Sequence, residues 1–339
     1  MVSNPPSMYE LFPSIGPPFF GRSAELYGVA EDFLRRAGVK KGERIIIFTD
    51  TRKDTDIINA FFGAALALGA DTHVLISPPL KSLGDPPPWI IDFLKKANLV
   101  INLLTMEWGK QASHQEVLDA GTRIAMVVET ATTLLKMPPS EQVLKRVENF
   151  VKILEKSETL KITSKLGTDI TFKNSHKPVT YLNGLLDAER RIKWTNFPNS
   201  IVNFPFIPES GNGTLVIEPG DVIIHLRHMT REPIKLTIEK SRIIDIEGGF
   251  DADVLQRKWF DRWNDDTAYE LLHLSFGCDH RAEVHPNVYA PMEWESYAGG
   301  ILFGWGKLVH LDIMVTKATV EADGTQIITE GKIVHPELV

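Results

Sequence analysis

The stretch Arg44-Ile45-Ile46-Ile47-Phe48-Thr49-Asp50 sets four large apolar residues side by side. A strand sends successive side chains to opposite faces, so an unbroken apolar run needs a core on both, as in a parallel strand covered by helices. Gly38 and Gly42 bracket the turn that enters it. Upstream, Pro5, Pro6, Pro13, Pro17 and Pro18 disfavour regular structure until Ser23 can cap a helix with Leu26, Val29, Phe33 and Leu34 on its apolar side.

Downstream the pattern repeats. A helix is expected over residues 54–68, ending at Gly69, then a strand over 72–77, a helix over 89–96, a strand over 99–104, a helix over 115–120 and a strand over 123–128. Strands alternating with helices predict a doubly wound α/β domain. We assign residues 1–20 to an N-terminal arm and 21–157, closed by a helix over 140–157, to this domain. Residues 158–339 are assigned to a β-rich α+β domain that carries the chemistry.

That second part reads as short runs at 159–163, 169–172, 214–217, 221–226, 234–238 and 242–247, separated by turns such as Glu218-Pro219-Gly220-Asp221. Helical intervals are expected at 251–264 and 267–274, the second reaching His273. The last strands are expected at 300–303, 307–315 and 326–334, with a turn at Asp323-Gly324.

Composition narrows the function. A formal charge of −7, spread along 339 residues, leaves no basic footprint for nucleic acid. A single cysteine, Cys278, rules out an internal disulfide framework and a thiolate cluster. No apolar run approaches the roughly 18 residues of a membrane span, so a cytoplasmic protein without membrane partners is expected. In doubly wound sheets ligands gather beyond the carboxyl ends of the strands, here Thr49, Asp50, Thr105 and Glu129. Neither a Gly-x-Gly-x-x-Gly turn nor a Gly-Lys-Ser/Thr loop is present to cradle phosphates.

The strongest chemical signal lies in Val309-His310-Leu311-Asp312-Ile313. As a strand it turns His310 and Asp312 to one face. The best third ligand is His273, in Leu271-Leu272-His273-Leu274-Ser275-Phe276-Gly277. Two imidazoles and one carboxylate are the ligand set of a non-haem Fe(II) site with open positions. Each histidine alone reads more simply as a hydrogen-bonded core residue, so the metal reading rests on the three together. Other groups read blandly: His225 and His228 as a solvated strand end, Asp265 with Asp266 and Glu293 with Glu295 as solvated surface, His280 and His285 without ligand spacing. Ser210 lacks a nucleophile-elbow frame, and His-Glu-x-x-His is absent.

The segments 213–216, 219–223, 247–250, 272–277 and His310-Leu311-Asp312, with Leu118-Asp119-Ala120-Gly121-Thr122-Arg123 and Met137-Pro138-Pro139-Ser140, resemble the 2,5-dihydroxypyridine 5,6-dioxygenases, relatives of the thermophilic leucyl aminopeptidases. The resemblance covers the chain from about residue 43. It implies one Fe(II) per chain on His273, His310 and Asp312, with a small hydroxylated aromatic and O₂ as partners. It further implies conversion of 2,5-dihydroxypyridine to N-formylmaleamate, and assembly as a homo-oligomer.

The peptidases hold two metals with extra glutamates, one in an Asn-x-Pro-x-Gly-Glu segment. Here the similar stretch runs Asn196-Phe197-Pro198-Asn199-Ser200-Ile201, and the aliphatic Ile201 cannot bridge cations. Two positions depart from the dioxygenase pattern, which carries histidine where this chain has Thr105 and Asn196. Neither side chain serves as a base near neutral pH, so either His280 or another group substitutes, or the substrate is a different one. Pocket walls are expected from Thr105, Trp108, Trp194, Asn196 and Phe303, with Arg231 or Arg281 neutralising an anionic substrate. A metal-dependent aminopeptidase and a non-catalytic metal-binding homologue are the alternatives.

Overall fold

The segment Arg44–Asp50 is a strand buried from Ile45 onward, and its alternation divides two cores. The structure is a computed structural model and describes residues 22–81, 84–106, 108–109, 111–186, 192–286, 289–307 and 309–339, so the N-terminal arm lies outside the described residues. Ile45, Ile47, Ile101, Leu103, Ala125 and Val127 face helices Ser23–Arg36, Thr55–Ala67 and Ala131–Lys136. Ile46, Phe48, Val100, Ile124 and Met126 face helices Pro88–Leu94 and Ala112–Asp119. Burying side chains of this size stabilises the fold by about 1.5–3 kcal/mol each, which explains why the runs are apolar without interruption.

The sheet is parallel throughout, in the order Asp71–Ser77, Arg44–Asp50, Leu99–Leu103, Arg123–Met126, Trp194–Asn196. It is the doubly wound sheet expected, with a fifth strand contributed from far along the chain. The described residues of 1–139 and 184–198 form one compact unit, and those of 140–183 with 199–339 the other. Helix Glu141–Lys156, grouped by sequence with the first domain, belongs to the second unit; Ser140 caps it, and Val143, Val147, Phe150 and Leu154 fall on its buried side.

The second unit holds two antiparallel sheets, one of eight strands and one of seven. Their facing sides share a core, with Leu160, Ile162, Ile170, Phe172, Leu215 and Leu236 on one sheet and Leu274, Phe276, Phe303, Trp305, Ile313 and Val315 on the other. The seven-stranded sheet runs His228–Met229, Val222–Ile223, Leu311–Val315, Ile301–Trp305, Leu271–Gly277, Ile201–Asn203, Tyr181–Leu182. Asp323 and Gly324, both at positive φ, make the two-residue turn between strands Thr319–Ala322 and Thr325–Thr329.

Several expectations give way here. The interval 267–274 is not a helix: a short 3₁₀ turn, Asp266–Tyr269, gives way to the strand Leu271–Gly277, because Leu271, Leu272 and Leu274 satisfy either period and strand partners on both sides decide. The strand expected from residue 307 starts at Leu311, since Gly306 at φ 84 turns the chain first. Residues 326–334 form two strands, Thr325–Thr329 and Lys332–Ile333, and the segment after Val222–Ile223 winds into a 3₁₀ turn, Ile224–Leu226. The helix at 251–264 is broken by a π-helical stretch, Gln256–Phe260, between Phe250–Leu255 and Asp261–Trp263. Among the described residues no helix is long and apolar enough to cross a membrane.

Candidate metal centre

Strand register brings the three candidate ligands together. His273 pairs with Gly304, and Gly304 pairs with Asp312, so the three stand in one row across neighbouring strands. Paired residues share a face, and this row faces away from the shared core, which takes the next row of Leu274, Phe303 and Ile313. A bulge between Leu271 and His273 resets the register at the ligand. Gly304 is required there, because a Cβ on it would lie 2.0 Å from His273 Nε2. His310 lies just ahead of its strand, brought back by the Gly306 turn whose carbonyl accepts from its Nδ1 at 3.4 Å.

The three candidate ligand atoms form an almost equilateral triangle. His273 Nε2 and His310 Nε2 are 3.1 Å apart, and Asp312 Oδ1 is 3.2 Å from the first and 3.0 Å from the second. Three donors about 2.1 Å from one point and at right angles would be separated by about 3.0 Å, the spacing of one face of an octahedron.

The hydrogen bonds behind the ligands fix the tautomer. Asn203 Nδ2 donates to Thr180 Oγ1, leaving its amide oxygen to accept from Ser275 Oγ at 2.5 Å. With its proton so spent, Ser275 Oγ accepts from His273 Nδ1–H at 2.9 Å. Nε2 of a neutral His273 is therefore bare, and His310, donating Nδ1–H to Gly306, is set the same way. Asp312 Oδ1, buried and within reach of both imidazoles, makes no hydrogen bond of good geometry. Converging lone pairs with no proton between them fit a cation. Burial opposes ionisation of Asp312, but when the imidazoles carry their second protons the charge of His310, the hydrogen bonds of both rings and the charge of His273 outweigh it and hold the carboxyl well below the usual range.

His225, read from the sequence as a solvated strand end, adjoins these residues instead. Nδ1 of His225 accepts the Asp312 main-chain N–H at 3.1 Å, and its ring meets that of His310 edge-on at 5.7 Å between centroids. No spacing rule marks it, because the contact follows from the pairing of Val222–Ile223 with Met314 and Ile313.

The other expected site residues fall elsewhere. Phe303 is buried on the far face and stacks near Trp305, as a core residue does. His280 is exposed beyond the opposite end of the His273 strand, with Nδ1 3.3 Å from an Arg146 guanidinium nitrogen. Arg281 is ion-paired to Asp279 at 2.6 Å, and Arg231 gives its main-chain N–H to Asp251.

In the first unit Trp108 is fully buried and donates to Ser113 Oγ, while Trp194, half-buried, lies against His114 and donates to Met126 Sδ. Thr105 follows the strand Leu99–Leu103 at the switch point of the parallel sheet, where both its N–H and its hydroxyl donate to Asp50 Oδ2, at 2.7 and 2.8 Å. Asn196 is buried at the end of its own strand. Among the described residues, His273, His310 and Asp312 are the group of His, Cys, Asp or Glu side chains whose donor atoms converge as metal ligands do.

The family model for 2,5-dihydroxypyridine 5,6-dioxygenase matches residues 25–335. A 2,5-dihydroxypyridine 5,6-dioxygenase of Pseudomonas putida is 27% identical over 346 residues, covering 93% of this chain and 97% of the relative. The solved structure of 2,5-dihydroxypyridine dioxygenase from Pseudomonas putida KT2440 superposes with a TM-score of 0.82 at 25% identity, covering 93% of this chain and 98% of that one. Wild-type AmpT from Thermus thermophilus shares the fold, with a TM-score of 0.63 at 16% identity over 93% of this chain and 100% of that one.

Proposed function

The chain belongs to the 2,5-dihydroxypyridine 5,6-dioxygenase family, whose members are ring-cleaving dioxygenases, and on that premise we propose that it opens 2,5-dihydroxypyridine or a closely related hydroxylated heteroaromatic with O₂, using one Fe(II) per chain. The observation that carries the metal half of this reading is the ligand triangle, 3.0–3.2 Å on each side, with both imidazoles in the ligating tautomer. Bound there, Fe(II) would supply the electron transfer that activation of O₂ requires, with positions left for a chelating substrate.

The chain's own residues do the rest. Asp312 contributes the charge that favours a divalent cation over a neutral occupant. Ser275 and Gly306 hold the imidazoles in orientation, and Gly304 keeps the space that His273 fills. Thr105 and Asn196 stand where the family pattern carries histidine, and a role for them in the reaction is proposed from that pattern alone. Because the Thr105 hydroxyl gives its proton to Asp50, it offers a ligand only lone pairs and would accept from a ring hydroxyl or N–H. Assembly as a homo-oligomer belongs to the same proposal.

The aminopeptidase reading loses support from Ile201, an aliphatic residue that stands in sequence where the peptidase segment carries a metal-binding glutamate and cannot bridge cations. The test is anaerobic loading with Fe(II), followed by oxygen-electrode assay on 2,5-dihydroxypyridine, other dihydroxypyridines and catechol. Uptake that needs both iron and a hydroxylated ring is expected. No uptake with any of these rings would overturn the proposal.

A further inference from the structure

The Asp312 strand loses its outer partner at the metal ligand. Val222 pairs with Met314 and Ile223 with Ile313, so the next pairing in register would set residue 224 opposite Asp312. There the chain winds into the turn Ile224–Leu226, and no main-chain carbonyl continues the ladder. A backbone N–H left without an acceptor in a protein interior costs about as much as a lost hydrogen bond, and something must take it. His225 does, through Nδ1 at 3.1 Å. The same ring stands edge-on to His310 and 5.7 Å from the ring centroid of Trp259, so one side chain touches two of the three ligand residues.

Resting on the metal reading above, we propose that His225 is a positioning residue of the metal centre. Its Nδ1 replaces the missing strand partner and thereby fixes the Asp312 main chain, and with it the carboxylate, at the corner of the ligand triangle. The essential atom is an acceptor one bond beyond Cγ. A plain structural role, satisfying one amide anywhere along a strand, would affect stability alone. A positioning role affects how tightly and in what geometry the cation is held, because partners behind a ligand typically govern about 10- to 100-fold in metal affinity.

Three chains separate the cases: wild type, His225→Phe, which keeps the ring but removes the acceptor, and His225→Asn, whose Oδ1 occupies the place of Nδ1. Each is stripped of metal and titrated with Co(II), read by its visible absorption bands, and with Fe(II) under anaerobic conditions. The expected result is binding by wild type, a loss of about 10- to 100-fold in affinity with altered Co(II) bands for His225→Phe, and recovery to within about threefold for His225→Asn. Should His225→Phe not fold, His225→Gln, with its amide oxygen one bond too far out, makes the same test. The proposal is overturned if the acceptor-less variant binds as wild type does with an unchanged spectrum, or if His225→Asn falls as far as His225→Phe. A wild-type chain that takes up neither ion overturns the metal reading itself, and this one with it.

Discussion

Among the described residues, the second unit holds two histidine–aspartate assemblies, and they are built to opposite plans. In the first, His228 Nε2 meets Asp251 Oδ1 at 2.8 Å, and the other carboxylate oxygen accepts the main-chain N–H groups of Arg231 and Glu232. Desolvation opposes the charge of Asp251, yet these N–H groups and then His228 hold its carboxyl below the usual range. Every oxygen has a donor. In the second, Asp312 Oδ1 faces two imidazole nitrogens whose protons are turned away to Ser275 and Gly306, so its lone pairs meet theirs. A closed pair holds a loop in place. An open triangle leaves room for a cation, and the direction of the Nδ1–H groups tells the two apart better than the residue types do.

The contrast breaks most sharply at Gly304. Gly304→Ala would set a methyl group 2.0 Å from His273 Nε2, and His273 would have to swing out of the triangle. The expected outcome is a loss of about a hundredfold or more in Fe(II) affinity, beyond that of an outer-shell change, while circular dichroism stays native. Retained affinity would mean that His273 is not a ligand.

The closed pair should answer in the other currency. Asp251→Asn weakens the charge-assisted contacts to Arg231, Glu232 and His228, and is expected to cost about 1–3 kcal/mol of stability with metal stoichiometry unchanged. Thermal unfolding and metal analysis of the same preparation check both halves, and a loss of metal would erase the distinction drawn here.

The smallest effect sharpens the comparison from outside both assemblies. His114, in the first unit, is buried between Trp108 and Trp194, and desolvation lowers its pKa from 6.5 to about 4. The unfolded chain takes up a proton near 6.5 and the folded one only near 4, so the stability present at neutral pH is lost as pH falls through this window. Between pH 7 and 5.5 the loss is about 1 kcal/mol, and His114→Phe should remove that part of the pH dependence of unfolding.

Much of this was legible in the sequence, and the failures have physical causes. Ile45 to Phe48 and Leu99 to Leu103 announce strands because cores on both faces leave no polar position. His310 and Asp312 were legible as a pair, although the Gly306 turn and not strand alternation places His310. His273 was found but assigned to a helix, since the leucines around it suit both periods and a bulge masks the alternation. Trp108 and Phe303 read as pocket walls because an aromatic residue looks the same in a core and beside a ligand. His225 was read as a solvated strand end, because its contact with Asp312 exists only once two distant strands pair and one ends early.

The central claim is that His273, His310 and Asp312 hold a single iron. It is tested most directly by metal analysis of wild-type chain and His310→Ala after anaerobic reconstitution with Fe(II) and removal of the excess. The account predicts about one iron per wild-type chain, as three ligands leaving open positions imply, and almost none in the variant. Two zinc or cobalt ions per chain in competition, no bound metal in the wild type, or iron content unchanged by His310→Ala would contradict it.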